Sequence, residues 1–410
     1  MLAPFRVRSF RYQWPADLFT SWAQEMEILI LAWYVLVATN SVAMLTLFGA
    51  LQYFGTLIAP GFGMLADRIG HRIVLAGMRA GYALLSISMV LLIFTGSLTT
   101  PIVFVIGTLI GLIRPSDIGM RSALTAATMP GEQLVVAMGV ARTTSDSARI
   151  FGSLLGAALF AYLGMGTAYV VILSCYVLGL ALTLCVHVPP SGQPRAGGQA
   201  RASPWQETRE GLAYVWHTPC VLAAMWLAYL VNMTAFPITS PGLLPYVARD
   251  IYHMDQTGLG TLVASFATGA LLGSLCVSYF GKRISPGRVM LMASAIWHAL
   301  LLVFIFMPTP TMGRLVLVIA GFTQSLSMVP LAVMLLNVAG ERYRGRVMGV
   351  RMLAIYGMPV GLVAAGPLVE RIGYVPTASG YCVLGILLTI AIAVYWRADI
   401  WAPGAAGNRH

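Results

Sequence analysis

The chain has 410 residues, of which 58% are hydrophobic and only 10% charged, and its mean hydropathy is +0.81. Soluble proteins carry about 25% charged residues, so the composition excludes a soluble domain and points to an all-α polytopic membrane protein. The formal charge is +11, but the basic residues sit in short turns between apolar runs; topology explains them, and nucleic acid is not an expected partner.

The N-terminal segment carries Arg6, Arg8 and Arg11, then an apolar run with no small-residue cleavage signal. It reads as a retained first span. With it, twelve apolar runs fall in order, at about 16–39, 45–66, 73–94, 101–124, 135–162, 167–187, 219–238, 257–279, 288–307, 312–336, 347–368 and 376–396. Each is near the ~20 residues that a helix needs to cross a bilayer. The longest interruption holds Pro189, Pro190, Gly192, Pro194, Gly197 and Gly198, followed by an amphipathic piece from Trp205 to Trp216. This predicts a six-helix bundle over 1–188, a linker with a surface helix over 189–218, a second bundle over 219–397 and a tail over 398–410. The five cysteines form no CxxC pair, so neither a disulfide framework nor a metal site is expected.

Sorting the turns by alternation puts Arg68, Arg72, Arg195, Arg201, Arg209, Lys282, Arg283, Arg288, Arg342, Arg344, Arg346 and Arg397 on one side with the N-terminal arginines. Arg249, Arg314 and Arg371 fall on the other, offset by Asp250, Asp255 and Glu370. The positive-inside rule then places both termini in the cytoplasm.

The two halves echo each other. Gly131-Glu132 before Met138-Gly139-Val140 is matched by Gly340-Glu341 before Met348-Gly349-Val350, both between the fourth and fifth spans of their half. Gly281-Lys282-Arg283 stands where Asp67-Arg68 stands in the first half. Parallel six-helix repeats are the build of alternating-access carriers.

The turn Gly63-Met64-Leu65-Ala66-Asp67-Arg68-Ile69-Gly70-His71-Arg72 joins the second and third spans, and its small residues allow close backbone approach. In this stretch the chain resembles the major facilitator superfamily, whose signature between helices two and three matches Gly63, Leu65, Asp67, Arg68, Gly70 and Arg72. Three further pieces are similar to a bacterial efflux branch of that family: Leu31-Ala32-Trp33-Tyr34, Arg209 to Trp216, and Tyr343 to Gly349. The resemblance implies twelve transmembrane helices in two six-helix pseudo-repeats, a monomer, and a latch at Asp67 that holds one transport state. A carboxylate there suits the positive N-terminus of the eleventh span, with Gly63, Asp67, Arg68, Gly70 and Arg72 forming the gate. The fifth span carries Gly152 and Gly156 but lacks the proline of the family's antiporter signature; alone, the pair is a helix-packing face.

Charges inside spans are costly and mark candidate function. The fourth span carries Arg114, Asp117 and Arg121; the fifth carries Arg142, Asp146 and Arg149. Their spacings of three and four residues place each set on one helix face. Laid antiparallel, the sets form a depth-matched ladder. That ladder serves either as a relay or as a lock between the two helices. Glu25 and Glu27 lie in the first span, two residues apart and so on different faces. An acid beside an arginine keeps its charge, whereas one in an apolar wall holds its proton more easily. Of the four proton-coupling candidates, Glu25, Glu27, Asp117 and Asp146, Glu25 or Glu27 is the better proton carrier, with no arginine in its own apolar run, and Asp117 and Asp146 read as ionised partners of arginine. Arg114, Arg149, Trp33, Asn232, Phe236 and Gln324 are the substrate-binding ones. Pro237, Pro241 and Pro245 should break the seventh span near its outer end.

These readings converge on a secondary transporter in a bacterial inner membrane, exporting amphiphilic drug-, siderophore- or lipid-like molecules with a proton gradient as the energy source. Uptake of a small organic anion and a non-transporting sensor are the alternatives. No cofactor is expected, and no catalytic triad or phosphate-binding loop is visible.

Overall fold

The structure is a computed structural model that describes residues 3–188, 204–239, 242–280 and 285–400, with a few side chains inside helices, Asp67, Arg342 and Arg344 among them, outside that description. The described residues form helices and no strand: α1 (Arg8–Thr39), α2 (Val42–Leu51), α3 (Gly55–Ile69), α4 (His71–Phe94), α5 (Thr100–Thr128), α6 (Gly131–Leu184), α7 (Pro204–His217), α8 (Pro219–Thr234), the one-turn α9 (Leu244–Tyr246), α10 (Gln256–Phe280), α11 (Pro286–Ile305), α12 (Pro310–Val338), α13 (Gly340–Ala354), α14 (Gly357–Ile372), α15 (Tyr374–Tyr395) and α16 (Arg397–Ile400).

Ten apolar stretches among the described residues are long enough to cross a membrane. One of them, Val136–Leu184, has 49 residues and folds back at Gly164, so it holds two spans. The second span is divided into α2 and α3. These two corrections give the twelve transmembrane helices that the sequence predicts. The first helix starts earlier than its apolar run, at Arg8, because the polar turn before the run is itself anchored. Gln13 is 1% exposed and donates to Arg121 O at 3.0 Å and Thr125 Oγ1 at 2.8 Å.

The hairpin connections repeat. Gly164 (φ 80°, ψ 170°) joins the fifth span to the sixth, and Gly373 (φ 91°, ψ 165°) joins the eleventh to the twelfth. Both occupy a conformation that L side chains rarely adopt. The shared geometry at the same connection in each half supports the pseudo-repeat.

The chain divides into two compact units. The first comprises Met1–Thr39, Leu51–Arg201 and Met254–Gly260. In it, α6 lies against α1 through glycines. A Cβ on Gly152 would sit 2.9 Å from Glu25 Cβ, and one on Gly156 2.8 Å from Met26 Cα. The small-residue face of the fifth span therefore serves close packing on the first. The wholly buried side chains here include Arg79, Tyr82, Tyr169 and Tyr176.

The second unit comprises Asn40–Ala50, Ala202–His253 and Thr261–His410. Residues 40–50 belong to it because Gly366 of α14 packs on Ala43 and Thr46, and Glu370 accepts from Ser41 Oγ at 2.7 Å and Ala43 N at 3.0 Å. Gly269 and Gly321 let α10 and α12 meet backbone to backbone. The amphipathic helix α7 grips α13: Glu210 pairs with Arg346 at 2.5 Å, and Tyr214 stacks on Tyr343 at 4.5 Å. The seventh span breaks as its prolines require, α8 ending at Thr234 and giving way to a single turn at Phe236–Ile238; Pro241 lies outside the described residues.

Candidate functional site

The first unit contains a polar cavity of about 330 Å³. Three carboxylates and four arginines line it: Asp17, Glu25, Asp146, Arg114, Arg121, Arg142 and Arg149. All stand on α1, α5 or α6, inside spans where charge is expensive unless paired. Of the six charges that the ladder sets on the fourth and fifth spans, Arg114, Arg121, Arg142, Asp146 and Arg149 line this one space and Asp117 does not. No ion pair among the described residues crosses directly from α5 to α6. The pairs instead run within a helix, Arg121 to Asp117 and Arg142 to Asp146 (3.2 Å), or to α1, Arg114 to Glu25 (3.2 Å).

Pairing differs among the charges in and behind the cavity wall. Asp117 is fully buried, held by Arg121 and reached by Gln24 Nε2 at 3.4 Å. Arg121 also donates to Ser21 Oγ at 2.6 Å and lies 3.9 Å from Asp17. Glu25 has no arginine three or four residues away on α1, but α5 supplies Arg114. Arg149 lines the cavity without an ion pair among the described residues. Glu27 is 1% exposed and does not line the cavity; Tyr176 donates to it at 2.7 Å. The two-residue spacing thus sends the neighbouring acids to different environments, as the helix period dictates.

Sequence reasoning passed over Arg79. Its side chain is fully buried on α4, paired with Asp17 and donating to Thr183 Oγ1 and to Gly179 O at 3.2 Å. The signal was present: Arg79 follows Arg72 by two helical turns and so cannot belong to the same turn between spans.

The candidate gate residues are partly described. Gly70 (φ 96°) ends α3, its N–H meeting Ala66 O at 2.8 Å. Ala66 is buried against Val74 and Leu75, but a Cβ on Gly63 would meet nothing within 4 Å, so Gly63 is not needed for close approach here. Arg68 is exposed and Arg72 half-buried; the Asp67 side chain lies outside the described residues.

Trp33 is buried on α1 of the first unit. In the second unit Asn232 donates to Ala228 O at 2.8 Å, Phe236 packs edge-on to Trp297 at 5.2 Å, and Gln324 is 9% exposed. His298 is a bonded bundle residue, tied to Thr234 Oγ1 and Ser294 O at 2.8 Å each.

The sequence profile of the Major Facilitator Superfamily matches residues 18–238 and 225–406. The chain belongs to that superfamily. Among curated relatives, this transporter is 24% identical over 356 residues to the enterobactin exporter EntS of Escherichia coli O1:K1 / APEC, covering 85% of this chain and 82% of the relative. It is 23% identical over 355 residues to the EntS of Citrobacter koseri, with the same coverage. Solved structures share its fold. The nucleoside transporter NupG gives a TM-score of 0.72 at 14% identity, covering 95% of this chain and 99% of that one. The human organic anion transporter MFSD10 gives 0.66 at 16%, covering 96% and 100%. The E. coli fucose:proton symporter FucP gives 0.63 at 15%, covering 95% and 99%. The family consists of transporters, not enzymes.

Proposed function

We propose that this transporter is a proton-coupled exporter of amphiphilic small molecules, working by alternating access as a monomer in the bacterial inner membrane with both termini cytoplasmic. The observation that carries the reading is the cavity in which Glu25, Asp17 and Asp146 share space with four arginines inside membrane-spanning helices. Intramembrane carboxylates of this kind serve proton relays. The export direction draws on the relatives named as enterobactin exporters.

In this reading Glu25, Glu27, Asp117 and Asp146 are the acids tied to the proton gradient, which is the energy source; no cofactor takes part. Arg114 and Arg149 meet polar or anionic parts of the substrate, and Trp33, Asn232, Phe236 and Gln324 its apolar and amide-matching parts. Gly63, Asp67, Arg68, Gly70 and Arg72 form the gate. Beyond the substrate, the lipid bilayer is the only partner invoked.

A second reading is uptake of a small organic anion, favoured by Arg149, a cavity-lining cation without an ion pair among the described residues. Purified transporter in proteoliposomes, with an imposed pH gradient and two dyes of similar size, one cationic and one carboxylated, separates the readings. Export predicts gradient-driven movement away from the cytoplasmic side. Uptake predicts inward movement of the carboxylated dye alone. Absence of gradient-driven movement for a broad dye panel would leave neither standing.

A further inference from the structure

The pieces Arg209 to Trp216 and Tyr343 to Gly349 take no part in the polar cavity, yet they meet in the second unit. The first forms most of the end of α7, and the second lies in α13, where the eleventh span begins. Gly211 makes the approach possible. A Cβ there would sit 3.1 Å from Arg346 Cβ and 3.2 Å from Val350 Cγ2. Around this contact Val215 is 3% exposed, and the Tyr214 hydroxyl donates to Val338 O at 2.9 Å while its ring stacks on Tyr343. Glu210 pairs with Arg346, whose guanidinium lies 5.5 Å from the centre of the Tyr343 ring. One face of α7 is thus occupied by α13.

The other face is open. Arg209, Leu212, Ala213 and Trp216 are all exposed, and spacings of three and four residues put them on one stripe. Leu212 is 50% exposed and Trp216 65%. Leaving such a pair in water forgoes the free energy of burying it. The position of α7 identifies what takes it. Trp216 stands just before Pro219, where the seventh span begins, and so lies within about 10 Å of that residue. Thr218 between them is extended, with φ −115° and ψ 95°, so α7 does not simply prolong the span. A helix at headgroup level with an apolar stripe suits the membrane interface. Tryptophan is enriched in that layer, and an arginine beside it meets anionic lipid.

We propose that Leu212, Ala213 and Trp216 form a membrane-docking face, seated among anionic phospholipid headgroups with Arg209 on their phosphates, and that Glu210, Gly211 and Tyr214 on the opposite face tie this seat to α13. The helix is then a brace between the bilayer surface and the start of the eleventh span. Lipid composition acts through it on that span without touching the cavity of the first unit. The brace works in the same way whatever solute is carried and whatever ion drives it.

Trp216 reports its own surroundings. The purified transporter is reconstituted in vesicles of phosphatidylcholine mixed with phosphatidylglycerol, with the chains of one or the other lipid brominated close to the headgroup. Bromine quenches tryptophan by contact, and acrylamide quenches it from water. The emission lost in Trp216→Phe isolates this ring from the other tryptophans. That difference emission should be quenched by the brominated lipids, more by phosphatidylglycerol than by phosphatidylcholine at equal content, and shielded from acrylamide. Arg209→Gln should remove the preference. Quenching by acrylamide and not by bromine puts the stripe in water or under a soluble partner, and overturns the docking. Equal quenching by the two lipids in the unaltered protein overturns the headgroup assignment.

Hydrogen exchange in the same vesicles tests the tie. Trp216→Glu, which expels the face from lipid, should raise exchange of the α13 amides several-fold. Tyr214→Ala should do the same while bromine still quenches Trp216. Unchanged exchange in α10 shows that the bundle is folded. If α13 exchanges as before in Trp216→Glu, the brace is overturned.

Discussion

Gly164 and Gly373 hold the same backbone conformation, φ 80° and 91° with ψ 170° and 165°, at the same connection of the two halves. Neither position tolerates a Cβ without strain of about 1–3 kcal/mol. Gly164→Ala and Gly373→Ala should each lower thermal stability in detergent by that amount. Gly77, mid-helix on α4 with no atom within 4 Å of a built Cβ, is the control. Gly77→Ala should be neutral or stabilising by about 0.5–1 kcal/mol.

The Arg79–Asp17 pair makes a second prediction. The arginine side chain is wholly hidden and the aspartate 14% exposed. Removing one partner of a buried pair strands the other, at a cost of about 3–5 kcal/mol. Arg79→Leu and Asp17→Asn should each lower the unfolding midpoint strongly. The double variant should be less destabilised than the sum, because the stranded charge is gone. Additive losses would mean that the two side chains do not depend on each other.

Arg149 should discriminate by charge. Losing hydrogen bonds to an ionised group costs about 1.5–3 kcal/mol, so Arg149→Ala should weaken binding of a carboxylated dye by about tenfold to a hundredfold. A neutral dye of the same size should be affected far less. Equal losses for both dyes would make Arg149 a packing residue.

Asp255 sits outside the spans at the start of α10, where it accepts from Thr257 Oγ1 at 2.5 Å and Gly258 N at 3.0 Å. The Thr257 hydroxyl first, and the Gly258 N–H second, hold its carboxyl below the usual value. A depressed folded-state value means that the contribution is fully present above the unfolded pKa of about 3.9 and is lost as pH falls through the lower folded value. Asp255→Ala should therefore cost about 0.5–1 kcal/mol near neutral pH. The difference from wild type should shrink as the unfolding assay is taken toward pH 3.

The sequence announced the spans because apolar length is written directly in composition, and the break after Thr234 because proline cannot continue a helix. It placed the charges of α5 and α6 around one space because helical spacing fixes a face. What it could not supply was the partner across helices. Glu25 finds Arg114 on α5 and Glu27 finds Tyr176 on α6, 89 and 149 residues away. Arg79 escaped for the same reason, since its burial depends on Asp17 and Thr183, which no local pattern connects. The fold-back at Gly164 falls in the gap between the fifth and sixth apolar runs, 135–162 and 167–187; the break between α2 and α3 has no such mark, because no proline or charge stands at Gln52–Phe54.

The position of Arg79 also bears on how the protein is made. Asp17 is synthesised 62 residues earlier and Thr183 104 residues later. As the third span leaves the ribosome, its guanidinium already has a carboxylate to meet, but it waits for its remaining acceptors until the sixth span arrives. Truncations that end before the sixth span would leave that arginine half-accommodated in lipid. The first six spans should then be retained by the insertion machinery as one cohort and released together.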